Sequence, residues 1–231
     1  MTLWLSLCGA ILVVAYLLGS IPTGYIAVKL LKDIDIRSVG SGSTGATNVL
    51  RTLGKGPGAF VLVVDCLKGV LAIALVYWFF QYVAQNLQPA TLNPQLWQPW
   101  IVTLAGLAAV LGHSKSIFLG FAGGKSVATG LGILLAMNWV LGLATAGVFA
   151  VVVAITRIVS LSSICGAIAV SVFMVLLHQP LPYVLFSITG GVYVILRHRS
   201  NIQRLLAGTE PKIGQTLQVE PEQTATSASS S

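Results

Sequence analysis

Charge is what this sequence has least of. Only 8% of its 231 residues are Asp, Glu, Lys or Arg, against about a quarter in an ordinary soluble domain. None of the four occurs in 1–28, 69–114, 126–156 or 158–196. With 55% hydrophobic residues and a mean hydropathy of +0.88, this excludes a soluble fold. Apolar runs of about 20 residues cross a bilayer as helices. Cysteine is also scarce. Cys8, Cys66 and Cys165 each lie alone in an apolar stretch and read as small buried hydrophobes. Three His and six acids lack metal-ligand spacing, so neither a metal nor a cofactor is expected. No basic segment precedes the first apolar run, which argues against a cleaved signal peptide.

The basic residues are concentrated. Apart from Lys68, they fall in Lys29–Lys55, Lys115–Lys125, around Arg157 and in Arg197–Lys212. Lys/Arg-rich loops stay cytoplasmic, so an even number of crossings separates each segment from the next. One helix before Lys29, two at about 57–82 and 97–112, a short one to about Ala136, one from a turn at Asn138 to Arg157, and two in 158–196 broken at His178–Pro182 make seven. The reading is an all-α polytopic membrane protein with its N-terminus outside and C-terminus cytoplasmic. Stretch 126–156 also fits a re-entrant segment plus one span. Gln81–Trp100, rich in Pro and Asn without Lys or Arg, reads as an outside loop. Residues 1–213 form one integral-membrane domain, and 214–231 read as a disordered polar tail. The net charge of +7 reflects this asymmetry and attraction to anionic lipid; without a soluble basic face, nucleic acid is not an expected partner.

The same basic segments carry the polar chemistry. In Gly40–Arg51, closely spaced glycines allow close backbone approach and consecutive amides can form an anion-binding nest. Ser41, Thr44, Thr47, Asn48 and Arg51 add donors, Arg51 with a fork suited to phosphate. The bland alternative is a flexible loop. In Gly112–Ser126 the nucleotide-binding pattern fails by one residue, because Leu119 stands where glycine is required. Gly123, Gly124 and Lys125 before a helix still make an anion site, or Lys125 merely snorkels. His113 lacks the Asp five positions on that would make an acyltransferase dyad, since residue 118 is Phe118. It reads equally as catalyst or structural hydrogen-bonder. Ser160, Ser162 and Ser163 read first as helix N-caps and second as phosphate or glycerol contacts. His198 and Asn201 share a helical face at i, i+3, with Arg204 and Glu210 following. Asp65 and Lys68, also i, i+3, lie inside a span, where an ion pair supporting the site outweighs direct catalysis.

Gly19–Tyr25, Gly40–Arg51, Asp65–Gly69, Gly112-His113, Phe118–Lys125 with Val127–Thr129, Ser162-Ser163, and Arg197–Arg204 with Gly208 and Glu210 occur in order. Over about 10–214 the chain resembles the bacterial acyl-phosphate-dependent glycerol-3-phosphate acyltransferases. The resemblance implies a seven-helix inner-membrane enzyme with a cytoplasmic site. It would move a fatty acyl group from acyl phosphate to the 1-position of sn-glycerol 3-phosphate, releasing lysophosphatidic acid and phosphate. It implies that Ser41, Arg51 and Lys125 hold phosphate, with Gly42, Thr44, Thr47, Asn48, Gly123 and Gly124 in the same role. Ser162 and Ser163 would line the polar pocket, and His198 and Asn201 would lie near the acceptor. Asp65, Lys68, His113, Arg204 and Glu210 would support them. Ser43 stands where the family usually has Asn, and Ala122 and Ser126 where Lys and Gly are frequent. Two other classes remain at this stage: a transporter of a phosphorylated solute, which would show repeat symmetry, and a lipid-binding scaffold, which would not need the donors at 41–51.

Overall fold

Each apolar stretch is helical in the structure, a computed structural model that describes residues 2–86 and 93–215. The helices are α1 (Thr2–Ser20), α2 (Thr23–Lys32), α3 (Ala46–Leu53), α4 (Lys55–Asn86) and α5 (Pro94–Ser114). They continue as α6 (Val127–Met137), α7 (Trp139–Thr156), α8 (Val159–Leu176), α9 (Leu181–Arg197) and α10 (Arg199–Leu206). Among the described residues there is no strand, only an isolated bridge between Ser116 and Ala122. Among the described residues, five helical segments are long and apolar enough to cross a membrane, and the bent pair α9–α10 brings that to six. The short α6, with 11 residues, is about 16 Å long, roughly half a bilayer core.

Several boundaries differ from the sequence expectation. The single helix before Lys29 is interrupted at Ile21–Pro22, because Pro22 supplies no amide hydrogen. Helix α4 starts before the expected position 57 and runs past Gln81 to Asn86. Pro57 falls in its first turn, where the missing amide costs nothing. Helix α5 begins at Pro94 and tolerates Pro99 within it. The expected loop Gln81–Trp100 is therefore mostly helix, and its middle, 87–92, lies outside the described residues. So does the expected tail beyond Gln215. The turn at Asn138 forms as read: its Oδ1 accepts from the amides of Val140 at 3.1 Å and Leu141 at 3.2 Å, starting α7 as α6 ends.

Helices α4, α6, α7, α8, α9 and α5 pack in that order as a closed ring, and α1 packs outside against α5 and α4. Without water in lipid, close helix contact depends on small residues at the crossings. A side chain at Gly69 would overlap the Thr129 carbonyl, and one at Gly132 would overlap the Cys66 carbonyl, so glycine brings α4 and α6 together from both sides. At one end the ring interior is filled by Val76, Phe80, Val102, Leu141 and Met174. At the other end it is open. There the loops 33–45, 115–126 and 207–213 meet, as shown by the contacts of Arg37 with Leu119 and Arg51 with Pro211.

Candidate active site

A cavity of about 310 Å³ enters the ring from this loop end. Its mouth is polar, lined by Ser41, Ser43, Thr47, Arg51, Lys125, Ser160, Ser163, His198, Asn201 and Glu210. Its inner part is apolar, lined by Leu131, Leu134, Phe149, Val170 and Phe186 among others.

The glycine-rich loop owes its shape to Asn48. This side chain is buried on the first turn of α3. Its amide nitrogen donates to the carbonyls of Val39 at 3.0 Å, Ser43 at 3.0 Å and Ile36 at 3.3 Å. Its oxygen accepts from the Ser41 amide at 3.1 Å. Two amide hydrogens shared among three carbonyls leave no donor for a phosphate. Asn48 thus folds the loop, and although it borders the cavity its amide is engaged there by the loop itself. Gly40 and Gly42 take left-handed backbone, with φ of 58° and 66°. Ser41 and Ser43 face the cavity, whereas Gly42 lines a shallow basin on the other side of the loop. Thr44 is buried and does not line the cavity.

Lys125 sits at the end of a second loop. Ser126 follows in left-handed backbone as the N-cap of α6, and its hydroxyl donates to the Val110 carbonyl at 2.8 Å. The Gly124 amide donates to the His113 carbonyl at 3.1 Å. Arg197 Nη2 donates to the carbonyls of Gly123 at 3.3 Å and Gly124 at 3.2 Å. Gly123 faces the outer basin, and Gly124 packs where a side chain would overlap His113 Nε2. Both therefore position Lys125, and neither lines the main cavity. The Lys125 ammonium is half-buried and donates to Asn201 Oδ1. Burial pushes its pKa down to about 8; Glu210 opposes this, while Arg204, Arg51 and Arg197 reinforce it.

Glu210 is the hub of the mouth. Its buried carboxylate accepts from Asn201 Nδ2 at 2.6 Å, Ser160 Oγ at 2.7 Å and Arg204 Nε at 2.7 Å. Burial alone would raise its pKa, but these three donors hold it below the usual carboxylate value. The strap carrying Glu210 is pinned further by Arg51 Nη2 to the Pro211 carbonyl at 3.4 Å, and by the Ile213 amide to the Arg157 carbonyl at 2.8 Å. Arg204 acts through Glu210 and does not itself line the cavity.

The serines are not N-caps. Ile158 occupies that position, with no side-chain cap, and the serines lie in the first two turns of α8. Ser162 Oγ donates to the Ile158 carbonyl at 2.9 Å and Ser163 Oγ to Val159 at 2.8 Å, each satisfied four residues back. Ser163 and Ser160 line the cavity; Ser162, fully buried, does not. His198 joins α9 to α10. Its Nδ1 lies 2.8 Å from the Val194 carbonyl, which can only accept. Nδ1 therefore carries the hydrogen and Nε2 the lone pair.

Beneath the mouth, Lys68 Nζ lies 2.8 Å from Asp65 Oδ1, with both groups buried. Lys68 also donates to the Ile21 carbonyl at 3.0 Å, fixing the α1–α2 break. Asp65 and His113, 3.7 Å apart, line the cavity; Lys68 does not. Losing either member of the ion pair would strand a buried charge at about 3–5 kcal/mol. Arg197 is the residue whose part sequence reasoning missed, together with the pairing of Ser160 with Glu210. The signals were their places within the Ser160–Ser163 and Arg197–Arg204 motifs.

The comparisons agree with this architecture. A family model described as glycerol-3-phosphate acyltransferase matches residues 9–208. Proteins named glycerol-3-phosphate acyltransferase from Trichormus variabilis and Nostoc sp. are 80% and 79% identical, each over 97% of this chain and all of the relative. One from Acaryochloris marina is 59% identical over 97% of this chain and all of the relative. The crystal structure of PlsY (YgiH), an integral membrane glycerol 3-phosphate acyltransferase in its glycerol 3-phosphate form, superposes with a TM-score of 0.78. It is 38% identical and covers 90% of this chain and 96% of that one. Its lysophosphatidic acid form gives 0.75 at 36% identity, covering 91% and 96%. A family match spanning nearly every helix, and relatives that align from end to end, leave one assignment: this chain belongs to the glycerol-3-phosphate acyltransferase family.

Proposed function

We propose that this chain transfers a fatty acyl group from acyl phosphate to the 1-position of sn-glycerol 3-phosphate. The products are lysophosphatidic acid and inorganic phosphate, in the first acylation of phospholipid synthesis. The observation that carries this is the two-part cavity, with Arg51 and Lys125 at the mouth and an apolar shaft behind them. Acyl phosphate has the same division, an anion at one end and an alkyl chain at the other. The glycerol 3-phosphate and lysophosphatidic acid forms of the solved relative support the acceptor and the product.

The donor is a mixed anhydride, so phosphate is already a good leaving group. The acceptor hydroxyl oxygen attacks the acyl carbonyl carbon. The bond from that carbon to the bridging oxygen breaks, and phosphate leaves with the electron pair. The hydroxyl proton passes to His198 Nε2 or to an oxygen of the donor phosphate. Arg51 and Lys125 hold the two anions together and stabilise developing negative charge. Ser41 and Ser163 add hydrogen bonds, and Asn201 sets the direction of the Lys125 ammonium. The serines are poor nucleophiles here: Ser163 donates to a backbone carbonyl and Ser160 to a weakly basic carboxylate.

Positive charge at the loop end favours that end as cytoplasmic in a bacterial inner membrane, with seven crossings, the N-terminus outside and the C-terminus inside. The reaction is tested with purified protein, acyl phosphate and labelled glycerol 3-phosphate, with acyl-CoA as the control donor. Labelled lysophosphatidic acid from acyl phosphate alone is the expected result. Product from acyl-CoA alone would overturn the donor assignment.

A further inference from the structure

Where the cavity stops is as well defined as where it opens. Its lining runs along α9 from His198 to Phe186, a depth of about 18 Å for twelve helical residues. Phe186 is 4% exposed, and its ring packs against the neighbouring helix α5. A side chain at Gly106 on α5 would lie 2.9 Å from Phe186 Cε2 and 3.1 Å from Ile133 Cγ2 on α6. One aromatic ring from α9 thus touches α5 next to α6. Val170 of α8 and Leu134 of α6 line the cavity at its inner end. Phe186 also belongs to the core cluster that contains Met174, Leu141 and Val102. It is therefore the boundary between open shaft and close-packed interior.

We propose that Phe186, with Val170 beside it, is the floor that measures the acyl chain and sets the chain-length preference of the transfer. This rests on the reading that the shaft holds the alkyl end of the substrate. The floor is built to be definite. The ring is backed by Gly106, whose lack of a side chain gives it a flat seat, and the interior behind it is filled. An alkyl chain reaching the ring finds no further space, and each methylene beyond it must fold back or stay in the mouth. Each methylene accommodated instead contributes roughly fourfold in affinity. Nothing polar is required of the residue, so its size alone decides the outcome.

The test uses the purified protein and a graded series of saturated acyl phosphates at fixed glycerol 3-phosphate. Phe186→Ala and the milder Phe186→Leu should move the kcat/KM optimum to longer chains, by roughly fourfold per added methylene, with little change for the shortest donors. Val170→Phe should move it to shorter chains. A matching series of lysophosphatidic acids, read by ligand-induced thermal stabilisation, should show the same shifts without any donor. If acyl phosphate proves not to be the donor, that second series still tests the floor. An unchanged optimum in the folded Phe186→Leu and Val170→Phe proteins would overturn the assignment while leaving the reaction intact.

Discussion

Asn201 donates an amide hydrogen to Glu210, and its amide oxygen accepts from Lys125. A carboxylate can only accept and an ammonium can only donate, so the two neighbours fix the orientation of the amide. Asn201→Asp replaces the donor with a second carboxylate facing Glu210 and should lower kcat/KM at least tenfold. Glu210→Gln should have a comparable effect, because its one NH2 must face either Arg204 or the Asn201 and Ser160 donors, and the charge that gathers them is gone. Losing a hydrogen bond to a charged group costs about 1.5–3 kcal/mol. Wild-type kinetics in both variants would show that this amide does not orient Lys125.

Lys125→Ala and Arg51→Ala should each reduce activity by about tenfold or more without unfolding the protein, from the same 1.5–3 kcal/mol per charged hydrogen bond. Lys125→Arg should rescue only in part, because a planar fork does not replace a compact ammonium. Steady-state kinetics together with thermal melting separate lost function from lost fold.

The depressed pKa of Lys125 gives a pH dependence of definite sign. In the proposed mechanism the ammonium is the form that binds phosphate, and it is lost as pH rises through about 8. In the free enzyme, kcat/KM should therefore fall on the alkaline side of that value. A bound dianion raises the pKa again, so kcat should hold to higher pH. Lys125→Arg, whose charge persists, should lack this limb.

Direct transfer predicts sequential kinetics and no acylated protein when acyl phosphate is supplied alone. Intact-mass spectrometry reads this directly. A stoichiometric acyl adduct on Ser41, Ser160 or Ser163 that then acylates glycerol 3-phosphate would refute the mechanism, though not the overall reaction.

Topology is checked by thiol labelling. A cysteine introduced near Asn93 should react with a membrane-impermeant reagent from outside, and one near Lys55 should not. Labelling at Lys55 from outside would reverse the orientation.

The helices were legible because lipid enforces a simple rule: charge-free stretches become helices, and Asn138 and Pro180 mark where they break. The motifs around Arg51, Lys125 and His198 were legible as polar islands in an apolar chain. The division of labour within them was not. Asn48 and Ser41 look alike as donors in sequence and both border the cavity, yet the Asn48 amide is consumed inside the loop. Ser162 and Ser163 are adjacent, and only the helical rotation between them puts one on the cavity. The role of Glu210 depends on Ser160, fifty positions away, a distance no local pattern encodes.

The strap that brings Glu210, Pro211 and Ile213 onto Arg51, Arg157 and Ser160 also has a consequence for biosynthesis. A nascent chain that has inserted every helix through α10 still lacks the carboxylate that gathers the mouth. Ordering of the groups at the mouth thus waits until the translated chain passes Ile213 and that segment folds back. Until that segment has been made, the inserted chain is a membrane bundle whose mouth cations have no carboxylate to gather them.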